Sequence, residues 1–158
     1  MRRDDREVTD ADEMLAWLRE APVGRLGFAD EGEPYVVPLN FGILSTAPLT
    51  LVFHSAGEGR KLEMMARNSR VCFEADLPGE LCDGGSTACK WGMAFRSVIA
   101  WGRLERIQNK DEKRAALLAL MNKYSASTRR DWAFDPAELA SVVVLKLTVE
   151  EITAKKKA

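Results

Sequence analysis

The chain has 158 residues, 46% hydrophobic and 30% charged, with a formal net charge of -1. That length and apolar content suit one compact domain, residues 1–158, with a real core. Balanced charge and a pI near 5.9 argue against nucleic acid or an anionic membrane surface as a partner. The charged start, Met1-Arg2-Arg3-Asp4-Asp5-Arg6-Glu7, lacks the apolar region of a signal peptide, and no apolar run reaches membrane-spanning length. A cytoplasmic location is therefore expected.

Along the chain, Thr9 or Asp10 is placed to cap a first helix with an apolar stripe of Met14, Leu15 and Leu18. Residues 23–29 read as a strand, 30–34 as a turn and 35–42 as a second strand interrupted by Pro38. Residues 49–55 form a third strand, followed by a helix from about residue 59 to 68. Residues 71–76 are a fourth strand, in which Cys72 reads as a small core residue and Glu74 and Asp76 as solvated strand-face residues. A long fifth strand, or a pair, covers 91–107. Asn109 with Glu112 three residues on has the spacing of a capping box for a helix to about Tyr124, buried through Leu117, Leu120 and Met121. Residues 125–136 are a polar and aromatic connection, and 142–153 a last strand with Leu145, Leu147 and Val149 alternating. Lys155, Lys156 and Lys157 read as a solubilising tail.

This pattern predicts a mainly β chain with a few helices: an antiparallel barrel rather than a parallel doubly wound sheet. Glycines inside the strand patterns, at 24, 27, 42 and 102, mark barrel corners, bulges or a closely approaching ligand. Cys82 and Cys89 flank a glycine-rich loop, but two thiols and one histidine are too few for a closed zinc site. No metal is expected; the pair reads as a loop disulfide or as free thiols.

The most informative stretch is residues 53–61, F-H-S-A-G-E-G-R-K. An apolar strand delivers His54 and Ser55 into a short loop with two glycines, and a helix then starts with Arg60 and Lys61 in its first turn. Unpaired N–H groups and the positive end of the helix dipole suit an anion there, with Ser55, Arg60 and Lys61 adding donors and charge, and the same residues equally suit a plain strand-to-helix turn with solvated basic side chains. The spacing matches neither the P-loop nor the dinucleotide fingerprint. Upstream, Pro38-Leu39-Asn40-Phe41 combines broken strand pairing with a polar and an aromatic side chain, which suits a planar ligand lying against main chain or a plain edge strand.

Together, residues 35–41 (Y-V-V-P-L-N-F), 53–61 and 96–102 (R-S-V-I-x-x-G) resemble the pyridoxamine-phosphate-oxidase-like, flavin-binding split barrels, most closely the nitroimidazole-resistance (Nim-type) branch. The resemblance spans about residues 2–155. It implies a six-stranded split barrel, a homodimer, and FMN bound between the subunits. It further implies that His54, Ser55, Gly59, Arg60 and Lys61 hold the flavin phosphate and that Pro38, Leu39, Asn40 and Phe41 line the isoalloxazine ring. Ser97 and Val98, with Trp101 nearby, would approach the flavin from the partner subunit. Tyr124 and Trp132 are candidates to cover the site. The C-terminal segment has no match to the pyridoxamine-phosphate substrate signature, which argues against vitamin B6 oxidation.

A flavin carries hydride or electron transfer itself, so the protein need supply only placement and electrostatics. One histidine, without a Ser-His-Asp or Cys-His arrangement, makes nucleophilic hydrolysis a poor alternative. The expected activity is a flavin reductase taking electrons from a nicotinamide or another small donor and passing them to a small oxidant such as a nitroaromatic, with His54 as the catalytic side chain. The alternatives are a non-turning-over flavin or haem carrier, or FAD or a deazaflavin in the same groove.

Overall fold

The computed structural model describes residues 4–125 and 131–157. Its elements are β1 (Glu7–Val8), α1 (Ala11–Glu20), β2 (Gly24–Asp30), β3 (Glu33–Leu39), β4 (Gly42–Thr46), β5 (Leu49–Ser55), α2 (Arg60–Arg67), β6 (Arg70–Cys82), β7 (Gly92–Arg106), α3 (Lys110–Tyr124), α4 (Pro136–Ser141) and β8 (Val143–Lys157). Side-chain alternation explains why the strands form one wrapped sheet. Along β6, Val71, Phe73, Ala75 and Leu77 are buried, and the residues between them face outward.

All ladders are antiparallel, in the order β3-β2-β6-β7-β8-β5-β4, with β1 added on β8. The two ends of that order, β3 and β4, are consecutive in the chain and joined through Asn40 and Phe41, yet no ladder pairs them among the described residues. The barrel is split at this point. The strands number eight rather than the expected six. β1 has only two residues, and β4 is short and runs into the Ala47–Pro48 turn, so neither carries a legible alternation.

The interior is a single packed cluster. Phe73 takes Phe41 edge-on at 4.9 Å and Phe53 at 5.9 Å between ring centres, surrounded by Leu26, Leu51, Leu104, Leu145 and Leu147. α1 closes it with Met14, Trp17 and Leu18, its N-terminus capped by Asp10, whose Oδ1 accepts from the N–H groups of Asp12 and Glu13. A smaller cluster lies outside the barrel, where Val52, Val144 and Ile107 meet Ala116 and Leu120 of α3.

Several local readings change. β8 continues through all three terminal lysines, Lys155, Lys156 and Lys157 pairing with Ser97, Arg96 and Phe95, because the equally long β7 offers a ladder that far. Cys72 is half-buried on the outward side of β6, between the buried Val71 and Phe73, so it is not a core residue. Glu74 and Asp76 are ion-paired rather than merely solvated: both accept from Arg25 on β2, at 2.9 and 2.5 Å. Glu112 does not return to Asn109 as a capping box would. Its carboxylate takes Lys146 at 2.7 Å, while Asn109 Oδ1 alone caps α3. α3 buries Lys113, Ala116 and Leu120 rather than Met121. Cys82 and Cys89 are free thiols. Among the described residues, no helix is long and apolar enough to cross a membrane, and no group of His, Cys, Asp or Glu is arranged for a metal.

Candidate functional site

The site is built where β5 ends and α2 begins. Phe53 and Ser55 are buried while His54, between them, is exposed. Strand alternation thus puts His54 and Ser55 on opposite faces. His54 pairs across the ladder with Val144, on the outer side that carries α3, and Ser55 points inward with its hydroxyl donating to the Ala56 carbonyl at 2.9 Å.

After β5 the chain turns through Gly57 and Gly59. Gly59 has φ 123°, a conformation an L side chain adopts only with strain, and a Cβ there or at Gly57 would meet nothing within 4 Å, so the loop lies open. α2 starts at once, with Leu62 N–H bonded to Gly59 O at 2.9 Å and no side chain capping its first turn. The N–H groups of Arg60 and Lys61 are left for an outside acceptor. Arg60 lies with its guanidinium 5.1 Å from the centre of the Tyr35 ring on β3, and half-buried Lys61 follows. Neither forms an ion pair among the described residues. An uncapped helix start, an open glycine loop and two cations without carboxylate partners are a donor set that fits a phosphate group.

The neighbouring bend holds the other expected residues in mixed roles. Pro38 and Asn40 are exposed and Leu39 is half-buried, but the Phe41 ring is fully buried in the barrel. What Phe41 offers a ligand is main chain. Its N–H donates to Tyr124 Oη at 3.0 Å, Tyr124 donates to Pro22 O at 2.8 Å, and Asn40 Nδ2 reaches the same carbonyl at 3.3 Å. Tyr124 therefore ties α3 to the bend between β3 and β4. Trp132 is half-buried in the stretch before α4, and residues 126–130 of that connection lie outside the described residues.

Ser97 and Trp101 sit elsewhere on the surface. With Ile99, Thr153, Lys155 and Glu7 they line an apolar groove of about 360 Å³ across β7 and β8, while Val98 points into the core. Within one chain, then, the groove that holds the β7 residues includes no residue of the β5–α2 loop or of the β3–β4 bend.

Lys123 carries no clear sequence signal, because a lysine in a last helical turn ordinarily reads as a dipole partner. It is half-buried beside the bend, with Nζ 3.2 Å from the centre of the Phe41 ring and donating to Leu18 O at 2.9 Å. Burial pushes its pKa down from 10.5 to about 7. The ring face and the carbonyl offset part of that cost. Between the two values the unfolded chain binds the extra proton, so this lysine makes stability rise with pH from about 7 to 10.5. The urea midpoint should climb across that window and the climb should flatten in Lys123→Met; an unchanged slope in the variant would show that another group causes it.

The family profile described as pyridoxamine 5'-phosphate oxidase matches residues 10–156. The chain belongs to this family. A candidate 5-nitroimidazole antibiotic resistance protein from Bacteroides thetaiotaomicron is 32% identical, with 95% of this chain and 86% of that one covered and a TM-score of 0.81. An FAD-binding protein from Mesorhizobium loti is 25% identical over 94% of this chain and 96% of its own, at a TM-score of 0.67. An FAD and haem binding protein from Mycobacterium smegmatis is 22% identical, covering 96% and 73%, at a TM-score of 0.79, and speaks for the fold alone. No curated protein sequence is significantly similar to the chain. The family's split barrel, with the sheet open between β3 and β4, is the fold found here.

Proposed function

We propose that this protein is an FMN-dependent oxidoreductase that reduces a small oxidant, with a nitroaromatic as the substrate class. The observation that carries the reading is the uncapped start of α2, where Arg60 and Lys61 stand without carboxylate partners beside an open glycine loop at the end of β5. The similarity to a candidate nitroimidazole resistance protein supports the acceptor class, and the FAD-binding relative supports a flavin. Bound flavin would supply hydride and electron transfer. The residues' own work is to bind and orient: Arg60, Lys61 and the α2 N–H groups hold the phosphate, while the main chain of 38–41 gives the ring system a flat wall. Ser55 can donate to the phosphate only if its hydroxyl turns away from Ala56 O.

The apolar groove across β7 and β8 supports a homodimer in which Ser97 and Trp101 complete the partner's site. That arrangement accounts for a groove that includes no residue of the β5–α2 loop within one chain. Small donor and acceptor molecules would enter at the shared site, and the cytoplasm remains the proposed location.

The deciding experiment compares FMN with riboflavin, which lacks the phosphate. FMN should bind more tightly, and Lys61→Ala should weaken FMN by about 1–3 kcal/mol, the scale of a charge-assisted contact, while leaving riboflavin affinity unchanged. Equal affinity for the two ligands would overturn the phosphate assignment. The absorption spectrum and mass of the released ligand separate FMN from FAD, a deazaflavin or haem.

A further inference from the structure

A second cationic pocket lies between the end of β7, the start of α3, and α4, across the first residues of β8 from the end of β5. Arg106, Gln108, Lys110 and Lys113 line it, with Leu139 and Ala140 of α4 on the opposite wall, in a cavity of about 270 Å³. Ile107, buried, holds the backbone there by donating its N–H to Val144 O at 2.9 Å.

Three features show that the pocket lacks a counter-charge. No lining residue is acidic. Of the neighbouring carboxylates, Glu112 takes Lys146 at 2.7 Å and Asp135 caps α4 by accepting from the N–H groups of Ala137 and Glu138, while Glu105, Asp111 and Glu138 form no ion pair with the lining cations among the described residues. Arg106, Lys110 and Lys113 form no ion pair among the described residues, and Arg114, the next cation on α3, turns to the Phe134 ring at 5.8 Å.

Lys113 is the most telling member. Its residue is only 9% exposed, and its one hydrogen bond is a long 3.4 Å contact from Nζ to Ala140 O on the pocket wall. An ammonium has three donors, so two remain uncommitted. Burial and then the charge of Arg106 hold the Lys113 pKa below its usual value, as expected of a cation that has lost water and gained a like neighbour. The residue's apolar stem accounts for its burial, and no carboxylate among the described residues pairs with its ammonium.

We propose that Arg106, Lys110 and Lys113 form a binding site for a small, multiply charged phosphate-containing anion, of the phosphomonoester or pyrophosphate class. Three cations converge from the end of β7 and from two successive turns of α3. That spread of directions suits the several acceptor oxygens of a phosphate better than the two coplanar oxygens of a carboxylate. A bound dianion or trianion would relieve the repulsion between Arg106 and Lys113 and take up the free donors of Lys113.

Pyrophosphate is the probe, titrated calorimetrically into full-length protein carrying Lys61→Ala, so that the α2 loop does not contribute. Saturable binding with a dissociation constant below about 1 mM is expected. Arg106→Gln and Lys113→Met should each weaken it by about tenfold or more, the scale of one charge-assisted contact. Citrate should bind more weakly than pyrophosphate. In the background with native Lys61, the same two variants should leave FMN affinity unchanged, which keeps this site separate from the flavin reading. Arg106 and Lys110 are exposed, so Arg106→Gln and Lys110→Gln remain readable if Lys113→Met does not fold. Absence of saturation, unaltered affinity in the folded variants, or citrate binding as tightly as pyrophosphate would overturn the proposal.

Discussion

Gly102→Ala should lower unfolding stability by about 3 kcal/mol or more, the upper range of overpacking in a filled site. Gly102 is buried in β7 beside a register shift, where Trp101 pairs with Glu151 but Gly102 already pairs with Val149. A Cβ there would lie 2.0 Å from Thr148 O and 2.9 Å from its carbonyl carbon, both main-chain atoms. No rotamer change relieves that clash; the β7–β8 ladder itself must separate. This is the most extensively paired interface of the barrel, running from Phe95–Lys157 to Arg106–Leu145. Urea unfolding monitored by circular dichroism measures the loss. A change within about 0.5 kcal/mol, the range for an ordinary surface substitution, would mean that the bulge adapts and that the glycine is not required.

His54→Ala should reduce acceptor turnover by about 10²–10⁴-fold per bound flavin, the usual contribution of a positioned general acid, while keeping the fold and some flavin. The chain has one histidine, and imidazole is the side chain best suited to proton transfer near neutral pH. It is exposed at the end of β5, next to the loop proposed to hold the phosphate, so its removal opens no core cavity. Its position on the outer face, opposite Ser55, makes the test sharper. A proton donor must reach the acceptor from that side. A smaller loss with raised KM would indicate substrate binding instead. Unchanged kinetics with full flavin content would remove His54 from the chemistry.

Much of this protein is legible in its sequence. Period-two alternation in residues 71–77 and at Leu145, Leu147 and Val149 announces antiparallel strands, and Thr9 or Asp10 and Asn109 announce helix starts, of which Asp10 and Asn109 supply the capping oxygens. Cations in the first turn of a helix that follows a strand and two glycines are legible as a donor set, since each ingredient is local in the chain, and the proposed phosphate site rests on them. The strand count was not legible. β1 and β4 are too short to show a period, and β8 reaches Lys157 only because β7 offers a ladder that far.

What the sequence determined by itself is therefore the set of elements whose cause is local: strand alternation, helix caps, and the donors of residues 53–61. Tertiary structure decided everything that depends on pairing across long separations. It put Ser97 and Trp101 in a groove that includes no residue of the β5–α2 loop, and it sent Glu112 to Lys146 instead of its own cap. It buried Lys123 against Phe41 and left Lys113 without a counter-charge beside Arg106. A charge's environment depends on which distant segments pack around it, and spacing along the chain does not encode desolvation.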